Sequence, residues 1–450
     1  MSDISNQADK FRLSRRQFLK LAMVGIGAGV LAACGTKETT GGAEAGDLTT
    51  TGQESGNLIV WGWTGTFEGI LSQIEAFNQK FPNVTVEIQE MGYDDVHTNL
   101  LNAIVAGTGA PDLCAIDVLA LTNYTDGLVD LNEVAQQYKD DFVEPTYSVG
   151  SYQGKFYGLA TDSEPMGTFY RKDLWDQYGI KEEDIETWDD LIAAGEKVYA
   201  DSNEQVKMFL MESGGSTLYE IMAVEQGFRG YFFDDQDEKV IVDDPKIVEA
   251  VTLLKRMWDS KSSYQNPQGG YSGEETVALF KADTVATQIA GPAWYPQEFI
   301  NSMPELSGKW RMMRNPAVTK GGKRNGYAYP TIFVMPTQAK LKGPAWELCR
   351  LGLLGDGAKV LYESMAVLPA YKPLLDEIRD QPIEYFGGQQ INALYDEIAQ
   401  DTPPVFFGTG FTEAQSIFSQ HLQNVMDEVA TPEEAMAACA TEMREKLKKG

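Results

Sequence analysis

Short apolar runs alternate with helical patterns along the segment 57–117. Asn57–Trp61 is a run of residues typical of strands, and apolar residues recur at helical spacing from Phe67 to Phe77. Residues 84–88 alternate between apolar and polar, a second helical pattern follows, and 112–116 has the composition of a third strand. Strand, helix, strand, helix, strand within about 60 residues predicts a parallel sheet with right-handed crossovers. This part of the chain is therefore predicted to form an α/β lobe.

The second half of the chain carries clear helix starts and two late strands. Thr187 and Thr431 each precede a helical pattern with an acidic residue at the third helical position, as in a capping box. Apolar runs at 285–290 and 331–335 predict strands, and the chain after Gly343 is helical in pattern almost to its end. Strands that follow a helical block suggest that the chain returns to an earlier sheet. We expect it to cross between two lobes more than once.

Composition and charge narrow the class of protein. The 450 residues are 43% hydrophobic and 11% aromatic, which is enough to give each of two lobes its own core. The formal net charge is −29, and the first 33 residues contain five basic and two acidic side chains, so the remainder carries −32. Such a negative field argues against nucleic acid or an anionic lipid surface as the partner.

The N-terminal 33 residues have the three parts of an export signal. A basic region precedes the apolar run Leu21–Ala33, whose dozen or so residues fall short of the roughly 20 that a membrane-spanning helix needs. Arg15 and Arg16 lie in the frame SRRQFLK, which is typical of a twin-arginine (Tat) signal. The alternative is an ordinary Sec signal that contains two arginines.

The apolar run ends in Leu31-Ala-Ala-Cys34, which resembles the lipobox of bacterial lipoproteins. The resemblance implies that Cys34 carries lipid; the alternative is a buried cysteine after a cleavage site. Residues 34–57, rich in Gly, Thr and Glu, offer little to bury and are predicted to form a flexible tether. We therefore expect a body held at the outer face of the bacterial cytoplasmic membrane by this lipid alone.

The remaining cysteines and histidines argue against a cofactor or metal. Cys114, Cys349 and Cys439 are widely spaced and are expected to be small buried apolar residues, although one disulfide among them stays possible. With His97 and His421 as the two histidines of the chain, a His/Cys metal site is not expected. The sequence also has no P-loop lysine, nucleophile elbow or calcium loop. We therefore expect no catalysis.

Several segments together carry a specific resemblance. They are LIVWGWTG (58–65), FNQKFPNVTVEIQEMGYDD (77–95), LLNAIVAGTGAPDLCAID (100–117), GKFYGLATDSEPMGTFYRKDLW (154–175), TWDDLIAAGEKV (187–198), FKADTVATQIAGPAW (280–294) and NGYAYPTIFVMP (325–336). Their order and spacing are similar to those of bacterial extracellular solute-binding proteins, in the maltose-binding-like cluster that serves carbohydrate ABC transporters. The resemblance implies an α/β fold: a two-lobe, periplasmic-binding-protein-like clamshell, in which each lobe is a mostly parallel sheet flanked by helices and the ligand lies at the hinge.

The resemblance and the strand pattern together give an expected division of the chain. Residues 1–33 are the signal, 34–57 the tether, 58–163 plus about 285–335 the N-terminal lobe, and 164–284 plus about 336–450 the C-terminal lobe. In open α/β sheets ligands bind beyond the carboxyl ends of the strands, and in two-lobed proteins they bind at the lobe interface. The strand ends in this sequence carry aromatic rings and carboxylates. Such side chains suit a sugar, which has an apolar face for stacking and a rim of hydroxyls for hydrogen bonds.

The candidate ligand residues follow from those strand ends and from the family positions. Trp63 and Trp294 are candidate stacking rings, whereas Asp117 and Glu164 are candidate acceptors whose alternative role is to cap a helix or turn. The full set of predicted ligand residues is Trp63, Asp117, Asp162, Glu164, Trp294, Tyr327 and Tyr329. The two tyrosines replace small residues of the family pattern and add aromatic surface near the hinge.

We expect a monomer that binds a sugar or oligosaccharide and delivers it to ABC permease subunits. Two other classes stay open. A receptor for another solute, such as a polyamine or phosphate ester, would show different cleft chemistry, and an anchored carbohydrate-active enzyme would show a catalytic carboxylate pair and turnover.

Overall fold

The structure is a computed structural model that describes residues 48–212, 215–266, 273–365 and 367–450. The predictions for Arg15, Arg16 and Cys34 lie outside these residues. Within them, we find no helix with the length and apolar character that crossing a bilayer requires. The three described cysteines, Cys114, Cys349 and Cys439, are buried, as expected, and have free thiols in the structure.

The described residues form strands β1 (Ser55–Gly62), β2 (Asn83–Glu90), β3 (Leu113–Asp117), β4 (Ser151–Tyr152), β5 (Lys155–Phe156), β6 (Gly158–Ala160), β7 (Met166–Arg171), β8 (Lys207–Glu212), β9 (Ser263–Asn266), β10 (Val285–Pro292), β11 (Trp310–Arg314) and β12 (Thr331–Val334).

The α-helices are α1 (Glu68–Ser72), α2 (Ile74–Lys80), α3 (Tyr93–Ala106), α4 (Asn132–Ala135), α5 (Thr146–Val149), α6 (Lys172–Gln177), α7 (Trp188–Asp201), α8 (Thr217–Glu225), α9 (Pro245–Asp259), α10 (Glu274–Lys281), α11 (Tyr295–Ser302), α12 (Lys342–Leu353), α13 (Asp356–Met365), α14 (Lys372–Ile378), α15 (Ile391–Asp401), α16 (Phe411–Met426) and α17 (Pro432–Leu447). Short 3-10 helices lie at Val118–Asn123, Thr125–Gly127, Gln136–Asp141, Glu182–Asp184, Pro304–Leu306 and Glu384–Phe386.

The first sheet has the order β2-β1-β3-β12-β6. β1 pairs in parallel with β2 and β3, as predicted, whereas β12 runs antiparallel to both β3 and β6. Leu58 and Val60 of β1 and the apolar residues of β3 are buried. Helix α3 buries Val96, Leu100 and Ala103 and ends at Gly107 in the left-handed conformation. The one helix expected between β1 and β2 is two helices, because the chain turns at Gln73.

The second sheet has the order β11-β7-β10-β8-β9. β10 is parallel to β8 and antiparallel to β7, and β9 is parallel to β8. Capping boxes at Thr187 and Thr431 start α7 and α17 as predicted, since each threonine accepts from the N3 backbone while the N3 carboxylate accepts from the threonine N–H. Phe169 of β7 packs in a cluster with residues of β10, α11, α14 and α15. Both sheets are thus mixed and flanked by helices.

The structure corrects the expected division of the chain in three places. β1 begins at Ser55 and Leu48 is buried, so the predicted tether 34–57 includes residues of the folded body. We expected about 285–335 in the N-terminal lobe, but β10 and β11 pair in the second sheet and β12 alone returns to the first. We expected about 336–450 in the C-terminal lobe, but α12 and α13 pack on α1 beside the first sheet. The apolar pattern of a segment shows that it is buried and does not show which sheet or helix buries it, so these partners could not be read from the pattern.

Three segments carry the chain between the two sheets. Residues 161–165 join β6 to β7, 315–330 join β11 to β12, and 367–371 lie between α13 and α14. We call these the crossing segments. They hydrogen-bond to one another: Ser163 N donates to Leu368 O at 2.7 Å, and Ala328 N donates to Glu164 O at 2.8 Å. The crossings therefore run side by side as one hydrogen-bonded layer.

Candidate functional site

A cavity of about 400 Å³ lies where the crossing segments meet the edges of both sheets. Its lining includes residues from the loop after β1, the first crossing segment, the start of β12, helix α11 and helix α13. The lining residues are Trp63, Thr64, Gly65, Thr66, Thr161, Asp162, Glu164, Trp294, Gln297, Glu298, Asn301, Thr331, Leu361, Met365 and Val367. We call the side formed by 63–66, 161–162 and Thr331 the first wall, and the side formed by 294–301 the second wall.

The first wall begins with a tight loop at the carboxyl end of β1. Thr66 fixes this loop, because its N–H and its Oγ1 both donate to Trp63 O, at 3.1 and 2.8 Å. The Trp63 ring lies 5.0 Å from the Tyr93 ring in an edge contact and 6.0 Å from the His97 ring in a stacked one. The loop and these two rings of α3 hold the indole at the cavity in a defined position.

The second wall is one face of helix α11. Trp294 is the N-cap residue, and Gln297, Glu298 and Asn301 follow at spacings of three, four and seven, which places all four on one helical face. The Trp294 ring stacks on Tyr295 at 4.4 Å with an interplanar angle of 15°. The helix therefore presents an aromatic ring, two amides and a carboxylate to the cavity.

Glu298 has one oxygen occupied and one without a partner. Its Oε1 accepts from Gly273 N at 3.1 Å, while Oε2 is buried and has no hydrogen-bond partner in the described structure. Gln297 Nε2 donates to Asn301 Oδ1 at 3.1 Å, so the two amides also contact each other. A buried carboxylate oxygen without a donor is costly, and a ligand donor would satisfy it.

Asp162 and Glu164 form a carboxyl pair on the first crossing segment. Asp162 is 5% exposed, and its Oδ1 accepts from Thr161 Oγ1 at 2.5 Å. Burial raises the pKa of Asp162, and burial together with the charge of Asp162 raises the pKa of Glu164 well above its usual range. The pair therefore holds a proton more readily than two separate carboxylates would, and in the singly protonated form one carboxyl donates and the other accepts.

Asp117 lies behind the first wall and caps a helix. Its Oδ1 accepts from Leu119 N at 2.9 Å, and its Oδ2 accepts from Tyr93 Oη at 3.2 Å. Burial raises its pKa to about 7. Asp117 therefore does not line the cavity and has instead the capping role that was given above as its alternative. It also contacts Tyr93, whose ring packs against Trp63.

The two predicted tyrosines also lie outside the cavity lining. Tyr327 is 3% exposed and its hydroxyl is 3.5 Å from Ser163 Oγ, so it packs within the layer of crossing segments. Tyr329 packs its ring edge-on against Phe407 at 5.7 Å. Of the seven predicted ligand residues, the structure brings Trp63, Asp162, Glu164 and Trp294 together in the cavity.

Sequence reasoning missed two groups of residues that line the cavity, one polar and one apolar. Gln297, Glu298 and Asn301 share a helical face with Trp294, and a search at three, four and seven residues beyond that ring would have found them. Leu361, Met365 and Val367 had no such signal, because they reach the cavity through the packing of α13 on α1. In the described residues no group of three or more His, Cys, Asp or Glu side chains has the arrangement of a metal site.

The comparisons with known proteins agree with one another. The family model described as "Bacterial extracellular solute-binding protein" matches residues 62–350. The arabinooligosaccharide-binding protein of Bacillus subtilis is 27% identical over 93% of this chain and 96% of its own length, and that of Halalkalibacterium halodurans is 26% identical over 84% and 87%. The ABC transporter associated binding protein of B. animalis subsp. lactis, solved with beta-1,6-galactobiose, is 25% identical, with a TM-score of 0.69 over 88% of this chain and 98% of its own.

Proposed function

This chain belongs to the bacterial extracellular solute-binding protein family, and on that premise we propose that it is the sugar-binding component of an ABC importer. It would capture a sugar or oligosaccharide in the cavity and deliver it to membrane permease subunits. The similar proteins named for arabinooligosaccharides and the solved relative that holds a galactobiose support a saccharide as the solute.

The observation that carries the proposal is that each wall of the cavity contributes a tryptophan. Trp63 follows a strand of the first sheet, and Trp294 caps a helix beside the second sheet. A pyranose has an apolar C–H face that packs on an indole, and two rings allow two such contacts. The hydroxyl rim then meets Asp162, Glu164, Gln297 and Asn301, which accept and donate hydrogen bonds and so fix the orientation of the sugar.

The position of the crossing segments supports closure of the two lobes as the change that reports a bound ligand to the permease. Asp162 and Glu164 lie on one of them and line the cavity, so a ligand that contacts these carboxyls contacts the connection between the two sheets. A ligand that touches both walls favours the closed arrangement, which the permease would read. We propose two lobes, the first sheet with α12 and α13 and the second sheet with the remaining late helices, that close about this layer.

We also propose the finer points of location and assembly. Cys34 would carry the lipid, Arg15 and Arg16 would direct export by the Tat route, and the protein would act as a monomer at the outer face of the cytoplasmic membrane. No catalytic role is proposed for the carboxyl pair, since the family is one of binding proteins.

A ligand screen on the full chain tests the proposed function. Thermal unfolding is measured against mono- and oligosaccharides, with polyamines and phosphate esters as contrasting solutes. A sugar at about 100 times its dissociation constant should stabilise the fold by about 2.7 kcal/mol. Stabilisation by polyamines or phosphate esters alone would contradict a sugar receptor. Chromatography of the saccharides after incubation should show them unchanged; products would indicate an enzyme.

A further inference from the structure

The charges on the cavity lining have one sign. Asp162, Glu164 and Glu298 line the cavity, and none of the described lining residues is Lys or Arg. The internal stretches that the structure does not describe, 213–214, 267–272 and 366, contain no Lys or Arg in their sequence. A cavity with three carboxyls and no basic side chain disfavours any anionic ligand, such as a phosphate ester or a sugar acid.

The neighbouring charges do not offset this excess. The charges that raise the pKa of Glu164 are those of Asp162 and Asp117, both acidic. Helix α11 has no basic residue, and Lys359, the one lysine of α13, has its Nζ 3.9 Å from Glu377 Oε1 on α14. The lining carboxyls therefore lack the cationic partners that buried carboxylates usually have.

Glu298 has one carboxylate oxygen that is available to a ligand donor. Its Oε2 is buried without a hydrogen-bond partner, although Oε1 is occupied by Gly273 N. A ligand hydroxyl can donate one hydrogen bond to such an oxygen. An ammonium group has three N–H donors in all, so it can bond to this oxygen and to neighbouring acceptors at once. Its positive charge also neutralises the buried carboxylate, and such charge-assisted hydrogen bonds are stronger than those of a hydroxyl.

The two indole rings suit a cation as well as a sugar ring. The face of an indole carries negative electrostatic potential and attracts an ammonium group within about 6 Å of the ring centre. Trp63 and Trp294 therefore stack on the C–H face of a pyranose and favour a positive charge beside it. A saccharide with a free amine uses both properties of the cavity, whereas a linear polyamine lacks the C–H face.

We propose that the natural ligand is an amino sugar, that is, a saccharide with a free, protonated amino group placed against Glu298 and the Asp162–Glu164 pair. This inference rests on the proposed function, since it names the class of sugar that the same cavity takes.

Isothermal titration of the full chain with matched sugars tests this directly. Glucosamine, galactosamine and mannosamine are each compared with the neutral sugar and the N-acetyl form, and the β-1,4-linked disaccharide of glucosamine is compared with cellobiose. We expect the free amine to bind at least about tenfold more tightly in one or more sets, with an advantage that falls as salt is raised. Glu298→Gln should weaken binding of the amine more than binding of its neutral counterpart and so remove most of that advantage, because the amide keeps an acceptor oxygen and loses the charge.

Glu363→Gln is the matched control, because Glu363 is an exposed carboxylate of α13 and its replacement changes the net charge equally. It should retain the amine advantage. Neutral sugars that bind as tightly as their amines in every set would overturn the amino-sugar inference and leave the proposed function intact. Binding of spermidine with no binding of any saccharide, charged or neutral, would instead overturn the proposed function.

Discussion

The two walls of the cavity present similar chemistry from different kinds of structure. Trp63 stands on a loop at the end of a central strand and is braced by Tyr93 and His97, whereas Trp294 stands at the start of the eight-residue helix α11 and stacks on Tyr295. The carboxyls Asp162 and Glu164 lie on the first crossing segment, while Glu298 lies on the cavity-facing side of α11. The first wall is thus formed by a loop at a strand end and a connection between the sheets, and the second by the outward face of a helix whose other face is buried.

This difference indicates where affinity and selectivity can change independently of stability. A side chain of α11 can be exchanged without moving a strand, so new ligands can be accommodated at low cost to the fold. A change on the first wall disturbs buried rings or the layer of crossing segments as well as the ligand. Substitutions on the two walls should therefore separate binding from stability.

The largest expected effect is on binding by the two tryptophans. Trp63→Ala and Trp294→Ala should each weaken saccharide binding by about 100-fold, equal to about 2.7 kcal/mol, as expected for a central aromatic contact. The unliganded protein should lose more stability with Trp63→Ala, because that ring packs on two rings of α3. Calorimetric titration measures the affinity and thermal unfolding measures the stability. Equal losses of stability in the two variants would contradict the proposed difference between the walls.

A second prediction tests the support behind the first wall. A Cβ added at Gly69 of α1 would collide with the backbone carbonyl oxygen of Gly352 of α12, so Gly69→Ala must separate the two helices. We expect a loss of about 2 kcal/mol in the free energy of unfolding, measured by urea denaturation. Gly92→Ala is the control, because its Cβ would meet only the end of the Asp95 side chain at 3.2 Å. Similar losses for both variants would contradict close packing at Gly69.

The carboxyls near the first wall predict a pH dependence. Burial raises the pKa of Asp117 to about 7 and raises that of Glu164 well above its usual range, so the folded protein holds these protons to higher pH than the unfolded chain does. The contribution of Asp117 to stability is complete below about pH 4 and is lost as pH rises through about 7, and Glu164 acts in the same direction. The unliganded protein should therefore be more stable at pH 5 than at pH 8.

Glu164→Gln should reduce that difference, since the amide cannot ionise. The quantity to measure is the free energy of unfolding at both pH values. Glu363→Gln on the exposed face of α13 is the control and should keep the wild-type pH dependence. A Glu164→Gln protein with an unchanged pH dependence would show that Glu164 ionises normally in the fold.

The smallest expected effect is on the second wall. Asn301→Ala removes one amide from the cavity and its contact with Gln297, and we expect a loss of about 1 kcal/mol in binding, or roughly fivefold. Stability should change little, because Asn301 is exposed near the end of α11. Titration with the best sugar of the screen gives the affinity. A loss of stability larger than the loss of affinity would place Asn301 in the framework instead.

Much of the first sheet could be predicted from the sequence, whereas the packing partners of the later strands and helices could not. The strands of 57–117, the capping boxes at Thr187 and Thr431, and the rings Trp63 and Trp294 follow from local pattern or from family positions. The sheet in which β10 pairs, and the helix on which α12 and α13 pack, depend on contacts between residues distant in sequence. Tyr327 and Tyr329 carry the ring and hydroxyl that suit a sugar site. Tyr327 is nevertheless buried and Tyr329 packs against Phe407, and the local pattern does not reveal these neighbours.

The crossing segments have a further consequence for the integrity of the chain. Because three separate stretches of backbone connect the two sheets, a single proteolytic cut in any one of them leaves two covalent connections in place. The hydrogen bonds between the segments would also hold the cut ends near each other. If the two lobes close about these segments as proposed, a nick in one of them would still keep both walls of the cavity together.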